Sequence, residues 1–232
     1  MKTMGVLGGI GPQATMDFEV RVHAVAQRLI PQRANFGYPP MSVCYLRQPP
    51  FVVGADLRPS YPFEPAPGLA ELLPRFGQMV DFIVCPANAP HLLQGYIEAT
   101  TGRPMLSMID CVVTETRQRG WLHVGVLGLG EPRVYLEPLQ AAGVTCEILS
   151  GEPGGLRDRL DQSIWVVMEG RAGAAETALA AEAVATLRAR GVDGVILGCT
   201  EIPLMLGAVA DAADLLNPVQ LLAEAAVRFA IE

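Results

Sequence analysis

Met4-Gly5-Val6-Leu7-Gly8 and Val124-Gly125-Val126-Leu127-Gly128 are near copies of one another, set half a chain apart. A second pair follows in the same order: Val80-Asp81-Phe82-Ile83-Val84 and Val192-Asp193-Gly194-Val195-Ile196. Runs this short and this apolar read as strands buried on both faces of a parallel sheet. Self-similarity at a fixed order means two similar structural halves. Working outward, Met41–Leu46 supplies a further strand. The stretches Gln13–Ile30, Ala87–Thr100, Ser107–Arg119, Glu131–Ala142, Ala172–Arg190 and Pro218–Ala230 read as helices. Strands alternating with helices give an α/β fold of two pseudo-symmetric parallel-sheet lobes. The first lobe is expected over 1–110 and the second over 111–210, with the C-terminal helix segment 211–232 packing back on the first.

One segment resists this pattern. Between Pro31 and Pro67 the chain is crowded with proline (Pro39-Pro40, Pro49-Pro50, Pro59, Pro62, Pro65), and apart from Met41–Leu46 it cannot be regular structure. Gln48–Pro67 reads as a long ordered loop, with two readings open: a cover over a cleft, or a surface excursion without a role.

Composition narrows the function. The net charge is −7 and there is no basic run, which argues against nucleic acid as a partner. The opening Met1-Lys2-Thr3-Met4-Gly5 runs straight into a strand, so no leader is expected. No apolar run approaches the roughly 20 residues that span a membrane. The five cysteines (Cys44, Cys85, Cys111, Cys146, Cys199) are an odd number without a CxxC pair, which fits reduced thiols in the cytoplasm. The three histidines (His23, His91, His123) are scattered, and no metal site is expected.

Each Val-Asp strand ends in a polar cluster: Cys85-Pro86-Ala87-Asn88-Ala89-Pro90-His91 in the first half, Gly198-Cys199-Thr200-Glu201-Ile202-Pro203 in the second. Parallel sheets bind ligands beyond the C-terminal ends of their strands. Helix starts there offer free N–H groups, which hold carboxylates and lower the pKa of a thiol. Cys199 is thus placed to be a reactive thiolate; the competing reading is a buried core cysteine. Asn88 can donate to a carboxylate, cap its own helix, or both. Glu201 can orient the surroundings of Cys199 or simply begin a helix favourably.

Three motifs now carry a resemblance. Gly8-Gly9-Ile10-Gly11-Pro12-Gln13-Ala14-Thr15 resembles the opening signature of the aspartate/glutamate racemase superfamily. Leu197-Gly198-Cys199-Thr200-Glu201-Ile202 resembles its second-cysteine motif, and Asn88 with His91 its first-cysteine motif. The matches are spread over nearly the whole chain in the family's order. The resemblance implies an amino-acid racemase that works without pyridoxal phosphate or metal, with its active site in a cleft between the lobes. There one cysteine thiolate removes the α-proton and a second thiol protonates the opposite face. It also implies a homodimer acting on a small amino or carboxylic acid.

The chain departs from that pattern at one decisive place. Aligning on Asn88 puts Ala87 where the family carries its first cysteine, and the internal echo agrees: Cys199 lies six residues after Asp193, and Ala87 six after Asp81. Ala89 replaces the family's threonine. Cys85 is the candidate substitute, on the same strand side but two residues back, roughly 6–7 Å along the strand; a core-strand thiol is the other reading. The candidate site is therefore Cys199 and Cys85 for catalysis, with Ala87, Asn88, Ala89, Thr200 and Arg47 against the substrate. Arg47, after the Met41–Leu46 strand, is the first choice for the distal carboxylate; Arg159 and Arg171 are the others, and each taken singly reads more readily as a solvated surface charge. Besides racemisation, two alternatives stand: a one-cysteine decarboxylase or isomerase, as in the arylmalonate decarboxylases of the wider superfamily, and a non-catalytic carboxylate-binding member.

Overall fold

The computed structural model describes residues 1–54 and 63–232. The elements run β1 (Met4–Gly8), α1 (Pro12–Leu29), β2 (Met41–Tyr45), α2 (Pro67–Met79), β3 (Phe82–Val84), α3 (Gln94–Thr101), α4 (Met108–Gln118) and β4 (His123–Leu127). They continue with α5 (Arg133–Ala141), β5 (Thr145–Glu147), α6 (Leu156–Met168), α7 (Ala174–Arg188), β6 (Gly194–Leu197), α8 (Glu201–Leu206), β7 (Leu215–Leu216) and α9 (Pro218–Ile231). Short 3₁₀ turns lie at Ala89–Leu93 and Gly207–Asp211. Two units divide the chain: Met1–Met108 with Leu222–Glu232, and Ile109–Leu221. The return to the first unit begins at Leu222, inside α9, so β7 and the first turn of α9 count with the second.

The repeated sequence becomes repeated topology. The first unit holds a parallel sheet in the order β2-β1-β3, the second a parallel sheet in the order β5-β4-β6-β7. An isolated parallel bridge between Ile83 and Met105 takes the place in the first unit that β7 takes in the second. The bonding matches in detail: Ile83 N–H donates to Pro104 at 2.9 Å, and Val195 N–H to Asp214 at 2.8 Å.

The repeated aspartates have a structural task. Asp81 donates its N–H to the Thr3 carbonyl (2.9 Å), and its carboxylate accepts the Thr3 N–H (2.6 Å). Asp193 donates to the His123 carbonyl (2.7 Å), and its carboxylate accepts both Leu122 N–H (2.7 Å) and His123 N–H (2.9 Å). Each aspartate thereby closes the N-terminal edge of the neighbouring first strand, far from the strand ends that carry chemistry. The His123 N–H, then the Leu122 N–H, hold the Asp193 carboxyl below its ordinary pKa. A depressed carboxyl contributes stability that is full above its unfolded-state pKa, about 3.9, and is lost as pH falls through the folded value. Asp193→Asn is therefore expected to lower the melting temperature near neutral pH and to flatten its fall on acidification. Melting curves that stay parallel to wild type between neutral and acid pH would remove this role.

The repeated glycines are also explained. A Cβ at Gly5 would press on Val80 (2.9 Å) and Phe76 (3.0 Å), and one at Gly125 on Leu187 (2.9 Å). Each glycine lets the helix before the Val-Asp strand, α2 or α7, lie directly on its sheet. In the second unit both sheet faces are covered. Val195 and Leu197 face Leu160, Ile164 and Ala180, while Ile196 faces Val112, Tyr135 and Leu139. This is why these strands read as unbroken apolar runs rather than alternating ones.

Several elements differ from the sequence expectation. Ala87–Thr100 is not one helix: a 3₁₀ turn comes first and α3 begins at Gln94. Pro86 and Pro90 withhold backbone donors there, and the first turn tightens. Helices α2 and α6 were not anticipated, although Leu69-Leu73-Phe76 and Leu160-Ile164-Val167 are buried at helical spacing. Proline at the first position of α2, Pro67, suits a helix start. The ends of the proposed Gln48–Pro67 loop are zipped together. Val52 N–H donates to Glu64 and Ala66 N–H to Pro50, both at 2.9 Å, and Phe51 packs on Phe63. Its middle, 55–62, with the reading that it covers a cleft, lies outside the described residues. Among those described, no helix is long and apolar enough to cross a membrane.

Candidate active site

Strand β6 is internal to its sheet and delivers Gly198-Cys199-Thr200 beyond its C-terminal end. A Cβ at Gly198 would strike the Leu127 carbonyl (2.5 Å) and the Tyr135 ring (3.1 Å), so only glycine lets the strand end there. Cys199 follows, 7% exposed, with Thr200 and Glu201 buried beside it. The three side chains form one cluster. The Cys199 thiol donates to Glu201 Oε2 at 3.1 Å, and the Thr200 hydroxyl donates to the same oxygen at 3.0 Å.

This environment reverses the expected state of the thiol. Burial, then the Glu201 charge and its hydrogen bond, push the Cys199 pKa well above the ordinary thiol value, with Asp161 adding to the shift. The Glu201 N–H pulls the other way and loses. A helix start was expected to favour a thiolate, but α8 has only six residues, and enclosure beside a carboxylate outweighs it. Cys199 therefore rests as a thiol, a proton donor. Burial also raises the Glu201 carboxyl, against the hydrogen bonds it receives.

Sequence reading passed over three neighbours of this cluster. Asp161 on α6 is half-buried and accepts the Gly130 N–H at 2.9 Å, tying α6 to the loop after β4. Burial raises its pKa. Tyr135 on α5 is fully enclosed beneath Gly198. Arg157 borders a small cavity (≈ 10 Å³) lined by Leu127, Gly128, Gly130, Pro132 and Leu149. Its Nε is buried without a hydrogen-bond partner. The sequence signal was the position of Asp161 and Arg157, one helical turn apart just after Gly154-Gly155, where a helix follows a strand. Of the arginine candidates besides Arg47, both Arg159 and Arg171 are exposed surface ion-pair partners, of Glu182 and Glu169.

The first unit carries the matching cluster at the end of β3. Cys85 is fully buried in an apolar cluster with Leu7, Leu73, Ile83 and Ile97. Burial pushes its thiol up to about 12. A thiol enclosed in apolar surroundings is ordinarily unreactive, which weighs against Cys85 as a second acid or base. Ala87 is half-buried and Ala89 exposed. Asn88 is half-buried, and of the two roles open to it, its side chain makes no cap hydrogen bond to the 3₁₀ turn. His91 is a clasp. Its Nε2 accepts the Met108 N–H at 2.9 Å, which leaves the proton on Nδ1 to donate to the Ala87 carbonyl at 3.0 Å. It thus ties the turn at Ala87 to the start of α4.

The opening motif folds as a strand–turn–helix. Gly9 has φ +75°, and a Cβ there would strike the Tyr45 backbone. The buried Thr15 hydroxyl accepts the Gly9 N–H (2.9 Å) and donates to the Gly11 carbonyl (3.1 Å), locking the turn. Pro12 opens α1 at its first position. Arg47 lies just past β2, exposed, with its guanidinium 4.6 Å above the Tyr45 ring. Its backbone is left-handed (φ 58°), uncommon for a side chain of this size. Among the described residues no three His, Cys, Asp or Glu side chains gather as a metal site requires.

In the first unit, then, lie Cys85, Ala87, Asn88, Ala89 and Arg47; in the second, Cys199 and Thr200 join Glu201. Against known structures, the chain is similar to an aspartate racemase homologue from Pyrococcus horikoshii (TM-score 0.73, 20% identity, all of both chains covered). It is also similar to an aspartate racemase from Picrophilus torridus (0.73, 18%, 99% of this chain and 94% of that one). A glutamate racemase from Francisella tularensis, solved with D-glutamate, is more distant (0.57, 15%, 99% and 81%). At these identities the likeness speaks for the fold. The sequence pattern of the Asp/Glu/Hydantoin racemase family matches residues 7–226, and the chain belongs to that family.

Proposed function

We propose that this protein catalyses α-proton transfer on a small acid of the aspartate/glutamate type, with Cys199 carrying the proton. The observation that carries the reading is the buried thiol–carboxylate cluster of Cys199, Glu201 and Thr200 at the end of an internal strand. A proton-transfer group must meet the substrate carbon in a defined geometry and protonation state. The hydrogen bond and the enclosure of Cys199 support that role. Charge developing on the substrate carboxylate is met by backbone N–H groups where the strand ends give way to helices. Arg47, strained at the end of β2, is the side chain proposed for the distal carboxylate.

Amino-acid racemisation is the first form of this reading. It needs protons handled on both faces of Cα, and Cys199 serves one. A second form is favoured by two observations: alanine at position 87, and the enclosure of Cys85 in the apolar core. In that form the enzyme works on one face, exchanging or delivering a proton stereospecifically, as an isomerase or decarboxylase would.

The test is proton exchange in D₂O with each enantiomer of aspartate and glutamate, followed by NMR and chiral chromatography. Deuterium at Cα with inversion supports racemisation. Deuterium with retention supports one-face chemistry. If none of the four acids exchanges, an aspartate or glutamate substrate is ruled out.

A further inference from the structure

The carboxyl group beside Cys199 is more than a hydrogen-bond acceptor. Glu201 is 1% exposed. It takes two donors on one oxygen, Oε2, while Oε1 is enclosed with no hydrogen-bond partner. An ionised carboxylate has about four acceptor positions, and leaving one oxygen without a protein donor in an enclosed site is costly. The neutral acid bears the same enclosure at much lower cost. Enclosure therefore makes Glu201 a ready proton acceptor, and the nearest proton is on the Cys199 sulfur, 3.1 Å away.

We propose that Glu201 is a positioning residue that takes up and returns the Cys199 proton, so that the pair keeps one proton and one negative charge whichever atom carries them. This rests on the reading of Cys199 as the proton-transfer group. A thiol cannot remove a proton from carbon; the thiolate does. Among the described residues, the charged groups that act on Cys199 are Glu201 on α8 and Asp161 on α6, both acidic, with the Tyr135 phenol of α5 also close. If the thiol simply lost its proton to solvent, two negative charges would stand 3.1 Å apart in an enclosed site.

Transfer along the existing hydrogen bond avoids this. The S–H bond breaks, an Oε2–H bond forms, and the electron pair stays on sulfur. The thiolate then takes the substrate α-proton: the Cα–H bond breaks, S–H forms, and the pair is left on the substrate as a carbanion. At that moment Glu201 is neutral, so no protein carboxylate opposes the charge developing on the substrate. The thiol returns its proton to carbon, and Glu201 returns its own to sulfur. Thr200, donating to Oε2, steadies the carboxylate in the resting state and fixes which oxygen faces the thiol.

The test reads the thiol without substrate. Alkylation of Cys199 by iodoacetamide is followed as a function of pH by mass spectrometry of the peptide containing it, in wild type and Glu201→Gln. Glutamine keeps the shape but can neither accept the proton nor carry the charge. In wild type the main rise in alkylation should lie above the ordinary thiol value of about 8.5. In Glu201→Gln it should move down by a unit or more, about a tenfold gain in rate near pH 8. Deuterium exchange at Cα should fall about tenfold or more in the same variant. More thiolate with less turnover is a pairing that a merely structural glutamate does not produce.

An unmoved alkylation profile overturns the inference, as does an exchange rate that rises in step with alkylation. So does a wild-type Cys199 that titrates at or below the ordinary thiol value, a result that needs no variant. Should Glu201→Gln fail to fold, Thr200→Val serves: losing one donor to Oε2 raises the proton affinity of Glu201 and should speed Cys199 alkylation near neutral pH, whereas an unchanged rate overturns the proposal. The outcomes separate the two readings. A shifted alkylation profile without exchange of any acid leaves the pair intact and removes the substrate. Exchange that depends on Cys199 but not on Glu201 does the reverse.

Discussion

Cys199→Ala is expected to lower α-proton exchange by about 10²–10⁴-fold, the usual contribution of a positioned acid or base. The argument is one of position and uniqueness. Cys199 is the thiol at the end of an internal strand, and it has a carboxylate partner at hydrogen-bond distance. The alternative thiol of the matching cluster, Cys85, lies in an apolar core with its pKa pushed up to about 12. The structural cost should be small. Removing one sulfur from a 7% exposed position and one donor from Glu201, which keeps the Thr200 hydroxyl, amounts to about 1–2 kcal/mol. Loss of activity with a near-normal melting transition is thus the expected pair of results. Retained exchange in Cys199→Ala would move the chemistry elsewhere. Retained binding of the acid, by calorimetry, with no exchange even in wild type would favour a carboxylate-binding member without catalysis.

Much of this fold is legible in the sequence because symmetry doubles each signal. Neither Met4–Gly8 nor Phe82–Val84 alone says more than buried strand, but their echoes at His123–Leu127 and Gly194–Leu197 mark two halves built alike, and each echoed pair of strands is adjacent in its sheet. The aspartates before β3 and β6 repeat for the same reason the strands do: each closes the edge of its neighbour. Part of what stays hidden is hidden by proline and by brevity. Helix α2 carries Pro67 and Pro74, and the one at its start favours the helix while both read as breakers. Strands β5 and β7 are three and two residues long, below the length at which periodicity speaks.

The site was legible in its residues and not in their state. Gly198-Cys199-Thr200-Glu201 points to a thiol at a strand end from sequence alone. Whether that thiol is ionised depends on enclosure and on which way the Glu201 side chain turns, and neither is written in spacing. A carboxylate at the start of a helix most often faces water and completes a dipole. Here it turns inward against the sulfur, and the expected depression of the thiol pKa becomes an elevation. The same limit applies to Cys85. Two residues along a strand share a side, but depth in the core decides reactivity, and that is set by Leu7, Leu73 and Ile97 around it.

Ala87→Cys is expected to produce the opposite change, a gain. The resemblance puts position 87 where the family carries its first thiol, and the chain has alanine there. Ala87 is half-buried, and the hydrogen bond it makes with His91 uses its backbone carbonyl, which the substitution leaves alone. If wild type exchanges the α-proton with retention, one thiol both removes and returns it, and inversion waits on water. A second thiol serving the opposite face should raise the rate of inversion by about 10²–10⁴-fold, turning exchange into racemisation. Ala87→Ser, with a hydroxyl far too weak an acid and base for the task, should not. Handedness gives the sharper check. If the family's two-thiol arrangement holds for this chain, the thiol left in the double variant Ala87→Cys with Cys199→Ala acts on the opposite face of Cα, and exchange should persist only for the enantiomer that wild type handles poorly. Inversion in wild type as fast as in Ala87→Cys would mean that another group already serves the second face. No change in Ala87→Cys would mean that position 87 does not meet the substrate, and the family's two-thiol geometry would not apply to this chain.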